Sequence, residues 1–290
     1  MNGIIIVDKP AGWTSHDVVA KLRGLLKTRR IGHGGTLDPM ATGVLPVFIG
    51  RATLAVEFIE AADKEYIAGI RVGLVTDTQD ITGSIISEKA AQVDAAELAA
   101  IIPRFLGAQK QIPPMYSAIK LDGKKLVDLA RRGITVHREA RDIFISEIEL
   151  QSGESNEFLL RVVCSKGTYI RTLCHDIGQA LGCGAVMTSL RRTRVGSFAI
   201  DKAYTLETIQ NAVSTNEIER IIAPTDSIFA SHKAAILNET NTQKCRNGAP
   251  CRDDSLPDGM YRFYGPDNEF LALGKIEKGE IEIIKRFFIL

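Results

Sequence analysis

The chain has 290 residues, a length that suggests about two domains. Hydrophobic residues make up 45% and charged residues 24%, the proportions of a globular protein with a sizeable core and not those of a disordered chain. Lys and Arg number 36 against 35 Asp and Glu, so a uniformly basic coat is excluded. No apolar run approaches the ~20 residues that span a bilayer, which argues against a membrane protein. Five cysteines without a Cys-x-x-Cys pair argue against a disulfide framework or a zinc finger and for a reducing cytoplasm.

Residues 3–7, Gly-Ile-Ile-Ile-Val, read as a buried strand, and the absence of a basic stretch before them argues against a signal peptide. Lys9-Pro10-Ala11-Gly12 is a turn. Ser15 is the expected N-cap of a helix carrying Val18, Val19, Leu22, Leu25 and Leu26 at helical spacing. A glycine-rich loop follows, Gly32-His33-Gly34-Gly35-Thr36-Leu37-Asp38-Pro39. Residues 45–49 and 66–72 read as strands, with a helix over 52–62 between them. Asp94 caps a helix over 94–106, Pro113-Pro114 breaks the chain, and 124–132 make a short basic helix. Residues 144–150 and 158–164 pair as strands about a turn at 151–156. Helices are expected over 168–181 and over 184–192.

Strands interrupted by helical insertions favour an α+β fold with a mixed, largely antiparallel sheet over a doubly wound parallel one. The composition changes near residue 230. Turn clusters at Asn247-Gly248, Pro257-Asp258-Gly259 and Gly265-Pro266-Asp267 separate short apolar runs, the pattern of a small β-rich domain. The division expected is therefore 1–232 for the main domain and 233–290 for the second.

Charge is unevenly spread. Residues 21–33 hold Lys21, Arg23, Lys27, Arg29 and Arg30 without an acid. Residues 160–196 hold Arg161, Lys166, Arg171, Arg191, Arg192 and Arg194 against the single acid Asp176. Acids gather around 77–97 and 139–157. Such a local cationic face suits a polyanion, although charge alone fits scattered solvated surface equally well.

The loop at 32–39 is the most unusual local sequence. Its glycines permit positive φ and close approach, and proline after Asp38 pushes that aspartate toward an extended conformation. The loop therefore aims one carboxylate, either as an ordinary turn cap or as a group held for chemistry. It is neither a P-loop nor a dinucleotide fingerprint. Asp77 and Asp80 read as turn caps. Arg171 needs an anionic partner if buried, and Asp38 is the natural choice. Tyr66 and Tyr169 fit the core as well as they fit stacking on a base. His33 reads as a surface or capping group. Cys174-His175 with Cys183 lacks metal-ligand spacing.

The run Gly34-Gly35-Thr36-Leu37-Asp38-Pro39-Met40-Ala41-Thr42-Gly43-Val44-Leu45 resembles the signature loop of the TruB-type tRNA pseudouridine synthases, bacterial stand-alone type. Val7-Asp8-Lys9-Pro10-Ala11-Gly12-Trp13-Thr14-Ser15, Lys64-Glu65-Tyr66, Thr76-Asp77-Thr78-Gln79-Asp80, Pro113-Pro114-Met115-Tyr116-Ser117-Ala118 and Ser165-Lys166-Gly167-Thr168-Tyr169-Ile170-Arg171-Thr172-Leu173 support the resemblance in order and spacing. It implies isomerisation of the uridine at position 55 of the tRNA T arm to pseudouridine, with no metal and no cofactor. Asp38 matches the catalytic aspartate, Arg171 the arginine that pairs with it, and Tyr66 the tyrosine on the target base. His33 matches the residue entering the T loop, and Tyr169 and Leu190 match substrate-binding positions lining the pocket. The tail resembles a PUA-like RNA-binding domain. The implied partner is tRNA through its T-arm stem-loop. DNA, a membrane, an obligate protein partner and a guide RNA are not expected, and the expected compartment is the cytoplasm. One departure is Leu54, where some relatives carry lysine, so that a supporting polar contact is either missing or supplied by Arg51. From the residues alone, a non-catalytic RNA-binding module and a carboxylate-dependent glycosidic hydrolase stay open as alternatives.

Overall fold

Strand Gly3–Lys9 is apolar without alternation because both of its faces are covered. In the computed structural model, which describes residues 1–288, Ile5 and Val7 pack with Val18 and Leu22 of helix Ser15–Leu26, while Ile4 and Ile6 pack with Ala52, Phe198 and Phe229 on the other side. This strand begins a nine-stranded sheet. The order runs Gly3–Lys9, Thr42–Ile49, Ala185–Val195, Lys64–Val72, Glu157–Cys164, Arg141–Glu154 and Gly107–Gln111, with Ile31–His33 added beside Thr42–Ile49 and Phe198–Ala199 beside Ala185–Val195. Every pairing is antiparallel except the short parallel contact of Thr42–Ile49 with Ala185–Val195. The fold is thus the expected α+β arrangement. Helix Ile170–Ala180 lays Leu173, Cys174 and Ile177 on Ile70, Leu160 and Met187, and the core so formed includes Leu37 and Ala41 on either side of Asp38.

A second, five-stranded sheet starts at Lys233 and runs Lys233–Ile236, Gly259–Tyr264, Phe270–Glu277, Glu280–Arg286 and Cys251–Arg252. It has its own core of Leu237, Tyr261, Phe263, Leu271 and Ile276. The two sheets are joined through aromatic rings. Phe229 meets Phe58 edge-on at 5.0 Å and Phe287 at 5.7 Å, and Phe270 stacks on Phe287 at 5.1 Å. Lys285 pairs with Glu57 at 2.6 Å across the same joint. Among the described residues no helix is long and apolar enough to cross a membrane.

Several local expectations change. The helix expected over 184–192 is strand Ala185–Val195 at the centre of the main sheet. Ala185, Val186 and Met187 are all fully buried, since flanking strands and both sheet faces enclose them. A strand covered on both faces loses the period of two and cannot be told from a buried helix by pattern alone. Thr14, not Ser15, is the N-cap of the first helix, in a reciprocal capping box with Asp17. The segment 52–62 divides into a 3-10 turn, Gly50–Ala55, and a short helix, Val56–Ala61. The basic helix shortens to Leu126–Ala130, behind a small hairpin of Lys120–Leu121 with Lys124–Lys125. Asp94 caps its helix with Glu97 reciprocating, as its position indicates.

The aromatic joint yields a stability prediction. Phe229 is 3% exposed, and Phe229→Ala should cost about 3–5 kcal/mol by the usual cost of emptying an aromatic core site. Denaturant unfolding measures the loss, and the 233–286 sheet should become the first segment cut by protease.

Candidate active site

Asp38 sits at the end of a loop that is fastened at every step by groups distant in sequence. Ser15, displaced from the capping role, is buried. Its hydroxyl accepts from the Leu37 amide at 2.9 Å and lies 3.3 Å from the Leu37 carbonyl. The Gly12 amide donates to the Pro39 carbonyl at 2.8 Å, and the fully buried Lys9 ammonium reaches the same carbonyl at 3.3 Å while also bonding Trp13 O at 2.6 Å. Gly43, at φ +101°, lies so close to the Arg192 backbone that a Cβ there would stand 2.2 Å from the Arg192 carbonyl oxygen. Only glycine allows the strand that leaves this loop to enter the sheet at that point.

The carboxylate of Asp38 meets Arg171 two-pronged. Nε of Arg171 lies 2.9 Å from Asp38 Oδ2, and NH2 donates to Asp38 Oδ1 at 3.2 Å. Arg171 itself is buried and is held by two carbonyls, Tyr116 O at 2.8 Å and Thr78 O at 3.1 Å. Asp80 stands 3.7 Å from its NH1 and accepts from Thr82 Oγ1 at 2.6 Å and Thr78 Oγ1 at 2.9 Å. Asp80 therefore caps its turn, as its sequence suggests, and also belongs to the arginine's surroundings. A paired guanidinium by itself holds a carboxyl below its usual range. The net direction is upward, because loss of hydration around the carboxyl outweighs the guanidinium and Asp80 adds repulsion.

Asp38 and Arg171 line a cavity of about 310 Å³ together with Tyr66, Tyr169, Leu190, Lys64 and Arg192. Its rim is formed by 35–37, Ser117-Ala118 and 165–168. Tyr66 and Leu190 come from neighbouring strands, with Leu190 opposite Ala68 and Tyr66 opposite Arg192. Tyr169 is placed by Gln111, whose side chain accepts from the Tyr169 amide at 2.8 Å and donates to its carbonyl at 3.0 Å. Burial pushes the phenols of Tyr66 and Tyr169 above their ordinary value, so both stay protonated at neutral pH. Of the six residues singled out in the sequence, five thus share one cavity.

His33 is the exception. It lies on strand Ile31–His33 outside the cavity lining, edge-on to His16 at 5.5 Å, with Nδ1 buried and unpartnered among the described residues. Burial, assisted by His16 and Arg192, lowers its pKa to about 4. Arg51 does not replace a lysine at Leu54. Its Nε donates to Phe287 O at 3.2 Å, and Leu54 packs in the joint between the sheets. Sequence reasoning missed Lys9, Ser15, Lys64, Gln111 and Arg192 as parts of the site. No group of three or more His, Cys, Asp or Glu that could hold a metal ion occurs among the described residues.

The family model described as the N terminal domain of the TruB family pseudouridylate synthases matches residues 23–170, which carry Asp38 and Tyr66. A second, the tRNA pseudouridylate synthase B C-terminal domain, matches 171–230. The chain belongs to the TruB family of pseudouridylate synthases. It is 37% identical to the tRNA pseudouridine synthase B of Clostridium kluyveri over 99% of this chain and all of that protein. To the tRNA pseudouridine synthase B of Pseudomonas putida it is 42% identical, over 97% of this chain and 94% of that one. Among solved structures, a Cbf5-Nop10-Gar1 complex matches with a TM-score of 0.76 at 28% identity, covering 99% of this chain and 85% of that one. An H/ACA RNP bound to a substrate RNA containing 2′-deoxyuridine matches with a TM-score of 0.75 at 27% identity, covering 99% and 85%. The TruB family's two models meet at the first turn of helix Ile170–Ala180, and the 233–286 sheet lies beyond both.

The depressed His33 basicity has a consequence for stability. Between pH 6.5 and about 4 the unfolded chain takes up a proton at this position that the folded chain refuses. Unfolding free energy should therefore fall as the pH drops through that window. In His33→Asn the fall should be shallower. Denaturant melts of both proteins at pH 7, 6, 5 and 4 measure the difference.

Proposed function

We propose that this pseudouridine synthase isomerises the uridine at position 55 in the T-arm loop of tRNA, with Asp38 as the reacting carboxylate. The observation that carries the reading is the Asp38–Arg171 pair, closed at 2.9 Å on the wall of a cavity of about 310 Å³ beside Tyr66. The names of the curated relatives support tRNA as the substrate. A uridine in a folded loop must leave its stack to reach such a cavity, at a cost of a few kcal/mol. Stacking on Tyr66 offsets about 1–3 kcal/mol of that cost, with Tyr169 and Leu190 closing on the base. His33 stands outside the cavity and stays uncharged near neutral pH, which suits a ring that enters the vacated space in the RNA. Arg171 orients the carboxylate so that it faces the ribose side of the flipped nucleotide.

The cationic segments need reassignment. Arg161 pairs with Glu65 and Glu147, Arg191 with Asp8, and Arg194 approaches Glu65. Arg23 and Arg30 bond Ile31 O and Thr53 Oγ1. The charges left for phosphate are mainly Lys21, Lys27, Arg29, Lys166 and the exposed hairpin lysines Lys120, Lys124 and Lys125. The 233–286 sheet, read as a PUA-like RNA-binding domain, adds contacts to the acceptor end of the tRNA. The protein is proposed to work on tRNA, the substrate that the names of the curated relatives carry, and to do so in the cytoplasm without a guide RNA or protein partner, in contrast to the Cbf5 complexes.

A T-arm stem-loop transcript tests the reading. Wild type should convert its uridine to pseudouridine, and Asp38→Asn should lower single-turnover conversion by at least about 10⁴-fold while RNA affinity changes less than about 3-fold, as expected when a group acts only in the transition state. A free nucleobase instead of pseudouridine would point to a hydrolase. Affinity should fall by roughly 0.7–0.9 log unit per neutralised phosphate for each tenfold rise in salt. Charge reversal at Lys124 and Lys125 should flatten that slope, measured by filter binding across a salt series.

A further inference from the structure

The reading above leaves two buried cations of the cavity unused, Lys64 and the more deeply enclosed Arg192. Arg192 lies on strand Ala185–Val195, opposite Tyr66 on one side and Gly43 on the other. It is 1% exposed, more buried than its neighbours Arg191 and Arg194. Those neighbours have acids within reach, Asp8 at 2.8 Å and Glu65 at 3.9 Å. Arg192 has none among the described residues. Its Nε donates to Val44 O at 2.8 Å and its NH2 to Gly35 O at 3.0 Å. Carbonyls satisfy N–H groups without neutralising the charge, so a full positive charge is held in a dry place, an arrangement that costs stability. A loop clamp alone would not require it.

The surroundings repeat the pattern. NH1 of Arg192 would stand 3.3 Å from a Cβ at Gly35, so the glycine keeps room for the guanidinium. Lys64, on the strand that carries Tyr66, is buried and bound to carbonyls, Ala62 O at 2.6 Å and Glu60 O. Burial brings its pKa down to about 8. Burial lowers the Arg192 pKa, and the neighbouring Tyr66 phenol, protonated at neutral pH, gives it no full countercharge. Both cations line the cavity that also holds Asp38.

We infer that Arg192 stabilises the negative charge on the detached pyrimidine, as a residue of the isomerisation distinct from the Asp38–Arg171 pair. The inference rests on the isomerase reading. When C1′–N1 breaks, its electron pair stays with the ring as a uracil anion shared among N1, O2 and O4. The ring turns, and a pair from the ring forms the C1′–C5 bond. The C5 proton is lost and one proton is gained at N1, so product and substrate are isomers and nothing else is consumed. An unneutralised guanidinium in a water-poor cavity lowers the energy of that anion more than it would in water.

The test compares stem-loops carrying uridine or 5-fluorouridine at the target position, under single turnover, following loss of the parent nucleoside. The fluorinated ring is more acidic and needs less help as an anion. Arg192→Gln should slow the uridine substrate by about 10²–10³-fold, the range for removing one such donor. It should slow the fluorinated substrate by at least ten times less, at unchanged RNA affinity. Arg192→Lys, which keeps a charge, should fall between wild type and Arg192→Gln. Equal losses on the two substrates, or a lysine variant no faster than the glutamine one, would make Arg192 a loop clamp and overturn the inference. Should Arg192→Gln lose the wild-type melting temperature, Arg192→Lys against wild type makes the same two-substrate comparison. Absence of wild-type turnover on uridine would bring down the isomerase reading and this inference together, whereas wild-type turnover with substrate-blind losses sinks this inference alone.

Discussion

A guanidinium shut away from water must find acceptors for its donors within the protein, and Arg171 finds them in three separate stretches of chain. Asp38 comes from the glycine loop, Thr78 O and Asp80 from the turn after Leu74–Thr76, and Tyr116 O from the segment behind the paired prolines. Asp38 lies 133 residues from Arg171. The contact is therefore made only when helix Ile170–Ala180 has docked on the sheet and the loops above it have closed. Because a buried charge without partners is so unfavourable, this one residue ties the Asp38 carboxylate to the completion of the fold. The carboxylate in turn is left partly desolvated, which raises its pKa and makes it a stronger base or nucleophile than it would be in water.

The same economy governs the other cations. A chain with a net charge of +1 offers little general attraction to nucleic acid. Much of its arginine is engaged internally, in the Arg161 network with Glu65 and Glu147, in the Arg191–Asp8 pair and in the carbonyl cage of Arg192. Arginine suits these sites because its fork satisfies several acceptors in one plane. The solvent-facing cations that remain are mostly lysines, hydrated point charges suited to phosphates in more than one geometry.

The joint between the sheets follows the same logic in apolar form. Phe58, Phe229, Phe270 and Phe287 come from the main fold, the connecting segment and the second sheet. Their mutual burial, with Lys285 and Glu57 at the edge, couples the small sheet to the large one. The small sheet also keeps a core of its own around Tyr261 and Phe263.

The residues near one another in the chain were legible without coordinates. The glycine loop, the proline after Asp38, the paired strands 144–150 and 158–164, the Asp94 cap and the turn-punctuated tail all announce themselves through local backbone chemistry. Asp38, Tyr66 and Arg171 could be singled out on their motifs. What local pattern could not show was any role defined by a distant carbonyl or by burial on both sides. Ser15 looks like a cap and is a pin for Leu37. The strand Ala185–Val195 looks like a helix because both faces are covered. His33 stands outside the cavity, and Lys9 and Arg192 resemble ordinary surface cations until the strands bring carbonyls around them. Backbone acceptors are the same at every residue and leave no mark in the side-chain code, so their partners are chosen only when the chain has folded.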